Sequence, residues 1–271
     1  MRRRLLLIVA AGLPFFARCQ TASYAPEPVL RPECKLILFR GLNLAYNERY
    51  LEAEDRFDDY SRCDPADPIG EWRKSYSWYF RLRSEQKTGA PKVDAKTYAD
   101  FVALAERGVK KAEAKIVRGE NPDFYRYVIA EIWAVEAVMT FHSGGIGSYL
   151  KSRDFLLEVH RMAGRSRYQD AKYLRGFMNY QASLSFWGRR FLPSDRCGGL
   201  ALVQEAEKRN LGIFSDDIRL VIVNIAASPK KVVQENQREC SGYQPEISFD
   251  ELFVRYPHNA FLRGMVIGGE K

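Results

Sequence analysis

KLILFRGLNLAYNERYLEAEDRFDDYSRC, residues 35–63, is the stretch that decides the fold. Leu38, Leu42, Ala45 and Tyr46 recur at helical spacing, and so do Tyr50, Ala53, Phe57 and Tyr60. Each set therefore forms one apolar stripe on a helix. Asn47, Glu48 and Arg49 separate the two stripes as a short polar turn, and Pro65 and Pro68 end the second helix, because proline cannot donate to the helical ladder. The segment predicts two antiparallel helices packed face to face.

Outward from this hairpin the chain stays helical. Residues 68–85 place Trp72, Tyr76, Tyr79 and Phe80 on one face, and a turn at Thr88, Gly89 and Pro91 follows. Residues 95–118 carry a stripe of Phe101, Leu104, Ala105, Val109, Ala112 and Ile116. Asn121-Pro122 opens a helix that ends near His142-Ser143-Gly144-Gly145, and residues 147–163 pair with it. Further helices are predicted over 168–190, 198–210, 215–228 and Phe249–Arg255, with a loop at Phe191–Arg196. Strand-like alternation is not sustained anywhere, so the expected class is all-α, with about five hairpins.

The N-terminus reads as an export signal over residues 1–25, with one domain over 26–271. Arg2, Arg3 and Arg4 precede a 13-residue apolar run, Leu5–Ala17, broken by Pro14. Such a run is short for a membrane span and suits the core of a signal peptide. Cleavage after Ala22 or Ala25 fits, and Pro26 disfavours the second. Cys19 raises the alternative of a lipid-anchored form, although Arg18 stands where a small residue is wanted. Removing the signal leaves 38 Lys and Arg against 34 Asp and Glu, a net charge of about +4. That value and the absence of a groove-reading motif argue against nucleic acid as a partner.

Hairpin 35–65 resembles a tetratricopeptide repeat. Gly41 stands at the close approach of the two helices, Tyr50 lies nine residues on, Ala53 twelve, Phe57 sixteen, and Asp64-Pro65 closes a unit of about 34 residues. Leu44 and Tyr60 depart from the family's preferred Tyr and Ala, and Tyr256-Pro257 after Phe249–Arg255 resembles a repeat ending. The resemblance implies an α-solenoid whose hairpins stack because one alone cannot cover its apolar faces. It also implies that first helices line a peptide-binding groove, which assigns Lys35, Leu38, Leu42 and Tyr46 to partner binding. The polar clamp by which some such domains hold a C-terminal carboxylate is not matched, since Leu42 occupies one of its places.

Four cysteines remain after the signal, Cys34, Cys63, Cys197 and Cys240. An even count in an exported chain suggests two disulfides, and the count leaves three pairings open. Hairpin geometry selects one: Cys34 precedes the first helix and Cys63 ends the second, at the same open end. Cys197 opens a late helix and Cys240 sits in the loop before the last one, giving Cys34–Cys63 and Cys197–Cys240.

Catalytic chemistry is sparse. The three histidines, His142, His160 and His258, lack metal-ligand spacing, and neither a nucleophile elbow nor a Walker loop occurs. The glycine-rich stretch 142–148 reads as an inter-helix turn rather than a phosphate cradle. Asp216-Asp217 reads as helix capping, and Arg161–Arg175 as a solvated junction rather than a site for acidic groups. The acid pairs Glu52/Glu54 and Asp58/Asp59 read as a solvated helix face. Glu131 and Glu136, five residues apart on one helix, diverge too far to act as a catalytic pair. The expected function is an exported scaffold binding a protein or peptide partner in the bacterial envelope, with no metal or cofactor. A helical-array enzyme and a lipid-anchored assembly factor are the alternatives, and membrane contact is expected only through an acylated Cys19.

Overall fold

A computed structural model describes residues 24–85, 93–209, 212–226, 230–241, 243, 249–260 and 262–263. Of the stretch read as an export signal, residues 1–23 lie outside the described residues, as does the turn expected at Thr88–Pro91. The described residues form twelve α-helices and no strand. None of these helices is long and apolar enough to cross a membrane.

α1 (Pro32–Tyr46) and α2 (Tyr50–Cys63) form the hairpin read from the sequence. Pro32 opens α1, where a missing N–H costs nothing. Leu38, Leu42, Ala53, Phe57 and Tyr60 are buried between the helices and the next layer. A Cβ on Gly41 would stand 2.6 Å from the Phe57 ring, so only glycine permits this crossing. The turn needs a left-handed residue, and Glu48 supplies it at φ 61°. Cys34 and Cys63 are disulfide-bonded across the open end, with Cα atoms 5.7 Å apart.

α3 (Ile69–Glu85), α4 (Ala95–Val117), α5 (Pro122–His142) and α6 (Ile146–Arg165) continue the array. Asp67 accepts from the Ile69 N–H at 2.8 Å, and Asp94 caps α4 through the Thr97 N–H at 2.8 Å. α5 is buried on nearly every side, with Phe124, Val128, Ile129, Ile132 and Met139 in the main core. Successive helices pack on one another, and α3 also touches α1 and α5.

Residues 168–190 depart from the single helix expected. α7 (Asp170–Ser183) stops, and a separate α8 (Phe186–Phe191) begins after Ser185, whose hydroxyl accepts from the Gly188 N–H at 2.9 Å. α9 (Arg196–Arg209) then returns along α7. There Gly176 and Gly199 face each other: a Cβ on either would stand 2.6 Å from the other's carbonyl oxygen. α10 (Ser215–Ala226), α11 (Lys230–Glu239) and α12 (Phe249–Arg255) complete the helices of the described residues. α11 replaces the loop expected before Cys240. The Cys197–Cys240 disulfide therefore joins the first turn of α9 to the end of α11, with Cα atoms 5.1 Å apart.

Both ends of the described residues are tied to the body. Ala25 donates to the Arg167 carbonyl at 3.2 Å, and Tyr168 donates to Glu27 at 3.0 Å. At the other end Asn259 donates to the Tyr46 carbonyl at 2.9 Å, the Ala260 N–H to Glu48 at 2.8 Å, and Tyr256 packs on Tyr46 with ring centroids 5.0 Å apart. The tail thus returns to the first hairpin.

Candidate functional site

Periodicity on α1 divides the four residues assigned to binding. Positions 38 and 42 point the same way, one turn apart, while 36, 39, 40 and 43 fall on the other side. Leu38 and Leu42 are buried in the main core and offer no surface to a partner. Tyr46 is committed internally, its hydroxyl donating to Asp217 at 2.7 Å. Lys35 alone of the four is exposed, with its ammonium 5.5 Å from the Phe39 ring centroid.

The face expected to form an open groove is filled by the chain's own α10. Phe214, just before α10, packs edge-on against Trp72 with centroids 4.9 Å apart and stacks on Phe124 at 6.3 Å. Asp217 reaches Arg73 of α3, Oδ2 to Nη2 at 2.6 Å. The Arg73 guanidinium lies between two rings, 3.9 Å from the Trp72 centroid and 4.1 Å from that of Phe214. Burial works against its charge, but Asp217 and Tyr46 outweigh burial and raise its pKa above the usual arginine value. Arginine suits this place because its flat, weakly hydrated cation stacks on aromatics while pairing in plane.

Glu131 and Asp170 lie near this node, and Glu136 and Asp67 are buried elsewhere in the interior. Glu131 accepts from Tyr76 and is pushed well above the usual carboxylate range by burial, and Asp217 nearby adds to the shift. Burial raises Asp170 to about 8, with the Glu27 charge adding to it. Glu136 rises to about 7 and Asp67 to about 6, again chiefly by burial. In a dry environment the neutral acid is the favoured form. Asp217 holds Arg73, Glu131 accepts from Tyr76 and Asp67 accepts from Tyr125, contacts that tie separate parts of the interior together.

Open surface lies on the outward side of α1. Leu36, Phe39, Arg40, Asn43 and Leu44, with Arg56 of α2, line a shallow cleft of about 490 Å³. Leu36 is 64% exposed. A second cleft of about 320 Å³ shares Asn43 and Leu44 and continues to Val254, Arg255 and His258 at the end of α12. Arg56 is held by Asp59 at 2.7 Å, so it is preplaced at the rim.

Other stretches singled out in the sequence take structural places. In the Arg161–Arg175 stretch, Arg167 pairs with Asp123 at 3.0 Å and Lys172 with Glu205 at 2.7 Å. Gly144 and Gly145 have φ of 90° and 87° in the turn between α5 and α6, which an L side chain resists. Sequence reasoning missed Arg73 and the long reach of Asp216-Asp217. The available signal was a lone arginine among aromatics in EWRKSYSWYF, facing an acid pair that opens an apolar helix. Among the described residues no group of three His, Cys, Asp or Glu could hold a metal ion. Comparison with protein-family models, curated proteins and solved structures finds no match to this chain.

Proposed function

We propose that this protein is an exported, non-enzymatic scaffold of tetratricopeptide-like hairpins that binds a segment of a protein partner in the bacterial envelope along the outward face of α1. The observation that carries the reading is the exposed Leu36 and Phe39, lining a cleft bordered by Arg40 and Arg56. An end helix of a stacked array has a neighbour on one side only, so its outer face is available for docking. The apolar floor and cationic rim favour an amphipathic segment carrying acidic residues.

Export is supported by the positively charged, apolar N-terminus and by two disulfides, which are compatible with an oxidising compartment. Cleavage after Ala22 keeps Tyr24, whose hydroxyl accepts from Lys172 at 2.8 Å; cleavage after Ala25 discards that contact.

The test is capture of an envelope partner by the mature chain and by its Phe39→Glu and Leu36→Glu variants. Both positions are solvent-facing, so both variants keep the parent melting temperature. Loss of capture at unchanged stability supports the reading. Retention of the same partner by both variants places the docking surface elsewhere.

A further inference from the structure

We propose that the aromatic and basic face formed by the end of α5, the start of α6 and the short α8 seats the protein on an anionic membrane surface. Five rings run across it in continuous contact. Phe141 meets Tyr149 at 6.2 Å, Tyr149 meets Trp187 at 6.5 Å, and Trp187 meets Phe186 at 5.5 Å and stacks on Phe191 at 5.6 Å. These side chains project outward: Phe186 is 67% exposed, Trp187 59%, and Ile146 beside them 84%. A cluster of this size on a polar chain marks an interaction surface.

The charge around it selects the occupant. Residues 183–194 contain Arg189 and Arg190 and no Asp or Glu, and α6 adds Lys151, while Arg153 there is paired with Asp154 at 2.6 Å. Asp195, the first acid beyond α8, is engaged in capping α9 through the Gly198 N–H at 2.8 Å. A second copy of the chain on this face would set cations against the same cations. Projecting rings, rather than a cleft, suit a fluid partner that closes around them. Trp and Phe settle at the boundary of headgroups and acyl chains, and arginines beside them meet lipid phosphates. The positive-φ glycines at 144 and 145 present Ile146 at the tip of the turn. Membrane contact on this face needs no acylated Cys19.

The test is co-flotation of the mature, disulfide-bonded protein with phosphatidylcholine vesicles, with and without phosphatidylglycerol. The protein floats with the anionic vesicles only, and added salt weakens the association. Phe186→Ser with Trp187→Ser lowers partitioning by about tenfold or more, because the two rings supply the apolar area. Arg190→Glu lowers it by roughly fivefold or more, the gain of one cation near an anionic leaflet. Phe39→Glu leaves flotation unchanged, which separates this face from the α1 cleft. Equal flotation with neutral vesicles, or retained binding in both variants, overturns the proposal. So does a dimer in analytical ultracentrifugation that the Phe186→Ser/Trp187→Ser pair dissolves. Should that pair unfold the chain, Arg190→Glu decides alone.

Discussion

Asp217→Ala is the substitution that most directly tests how the array is closed. It removes the carboxylate from Arg73, whose side chain is 5% exposed, and deprives the Tyr46 hydroxyl of its acceptor. Breaking a buried pair from one side leaves a desolvated charge and costs about 3–5 kcal/mol. The orphaned phenol adds up to about 1–3 kcal/mol. Asp217 is 20% exposed, so water entering the gap brings the total below the combined range of about 4–8 kcal/mol, to about 3–5 kcal/mol. At about 2–4 °C per kcal/mol for a chain of this size, the melting temperature falls by roughly 6–20 °C. Arg73→Met in the same background removes the stranded charge and keeps a flexible side chain between Trp72 and Phe214. The double variant therefore recovers most of the loss. Urea unfolding of the four proteins of this cycle, with disulfides intact, supplies the numbers, and hydrogen exchange of α10 amides locates the effect. A loss below about 0.5 kcal/mol for Asp217→Ala, or a double variant equal to the sum of the singles, would refute the lock.

Three further outcomes follow from the packing. Asp170, Glu136 and Asp67 are raised to about 8, 7 and 6, above the roughly 4 of unfolded carboxyls; the folded state then holds the extra protons, so stability falls as pH rises from about 4.5 to 8. Melting scans across that window should show the slope, and Asp170→Asn should flatten it; a flat parent profile counts against the burial of these acids. Gly176→Ala drives a methyl toward the Gly199 carbonyl and should cost about 1–3 kcal/mol by chemical unfolding, since the obstacle is backbone and cannot swing aside. Cys34→Ser with Cys63→Ser opens a loop of 29 residues and should lower stability by about 3–4 kcal/mol, whereas unchanged unfolding would mean that the bridge restrains nothing.

What the sequence revealed was what repeats locally. Gly41, Ala53 and Phe57 sit twelve and sixteen residues apart because neighbouring helices must mesh, and that spacing also brings Cys34 to Cys63. The same logic fails for α11. Its inward stripe includes Asn236, which is buried and donates to the Tyr180 hydroxyl at 2.9 Å, so the helix lacks a clear apolar period. It fails at Ser185 too, where a single hydroxyl cap divides an unbroken run of helix-compatible residues. The α1 assignment chose the apolar positions 38 and 42, which are buried. These are the positions that the core claims first, because they are the most apolar on the core-facing side. The pairing of Arg73 with Asp217 spans 144 residues, and no local pattern encodes it.

The two adjacent acids of α10 explain why the array has no loose end there. Successive helical positions turn by about 100°, so neighbouring side chains address different elements. Asp217 turns to Arg73 of α3 and Tyr46 of α1, while Asp216 pairs with Arg255 at 2.6 Å and accepts from Tyr256, which itself packs on Tyr46. The contacts form a circuit through α10, α12 and α1. An open stack of hairpins frays from its terminal units, where each has one neighbour. Here the first hairpin is held three ways, by the Cys34–Cys63 bridge, by α10 on its inner side, and by the returning tail at Tyr46 and Glu48. Fixing α1 in this manner leaves Leu36 and Phe39 on a helix that loses little freedom when covered. The binding proposed there would avoid most of the ordering cost that a frayed end imposes. The filled interior and the exposed cleft are then parts of one arrangement: the chain occupies the inner side of its first hairpin, and Leu36 and Phe39 stay exposed on the outer side.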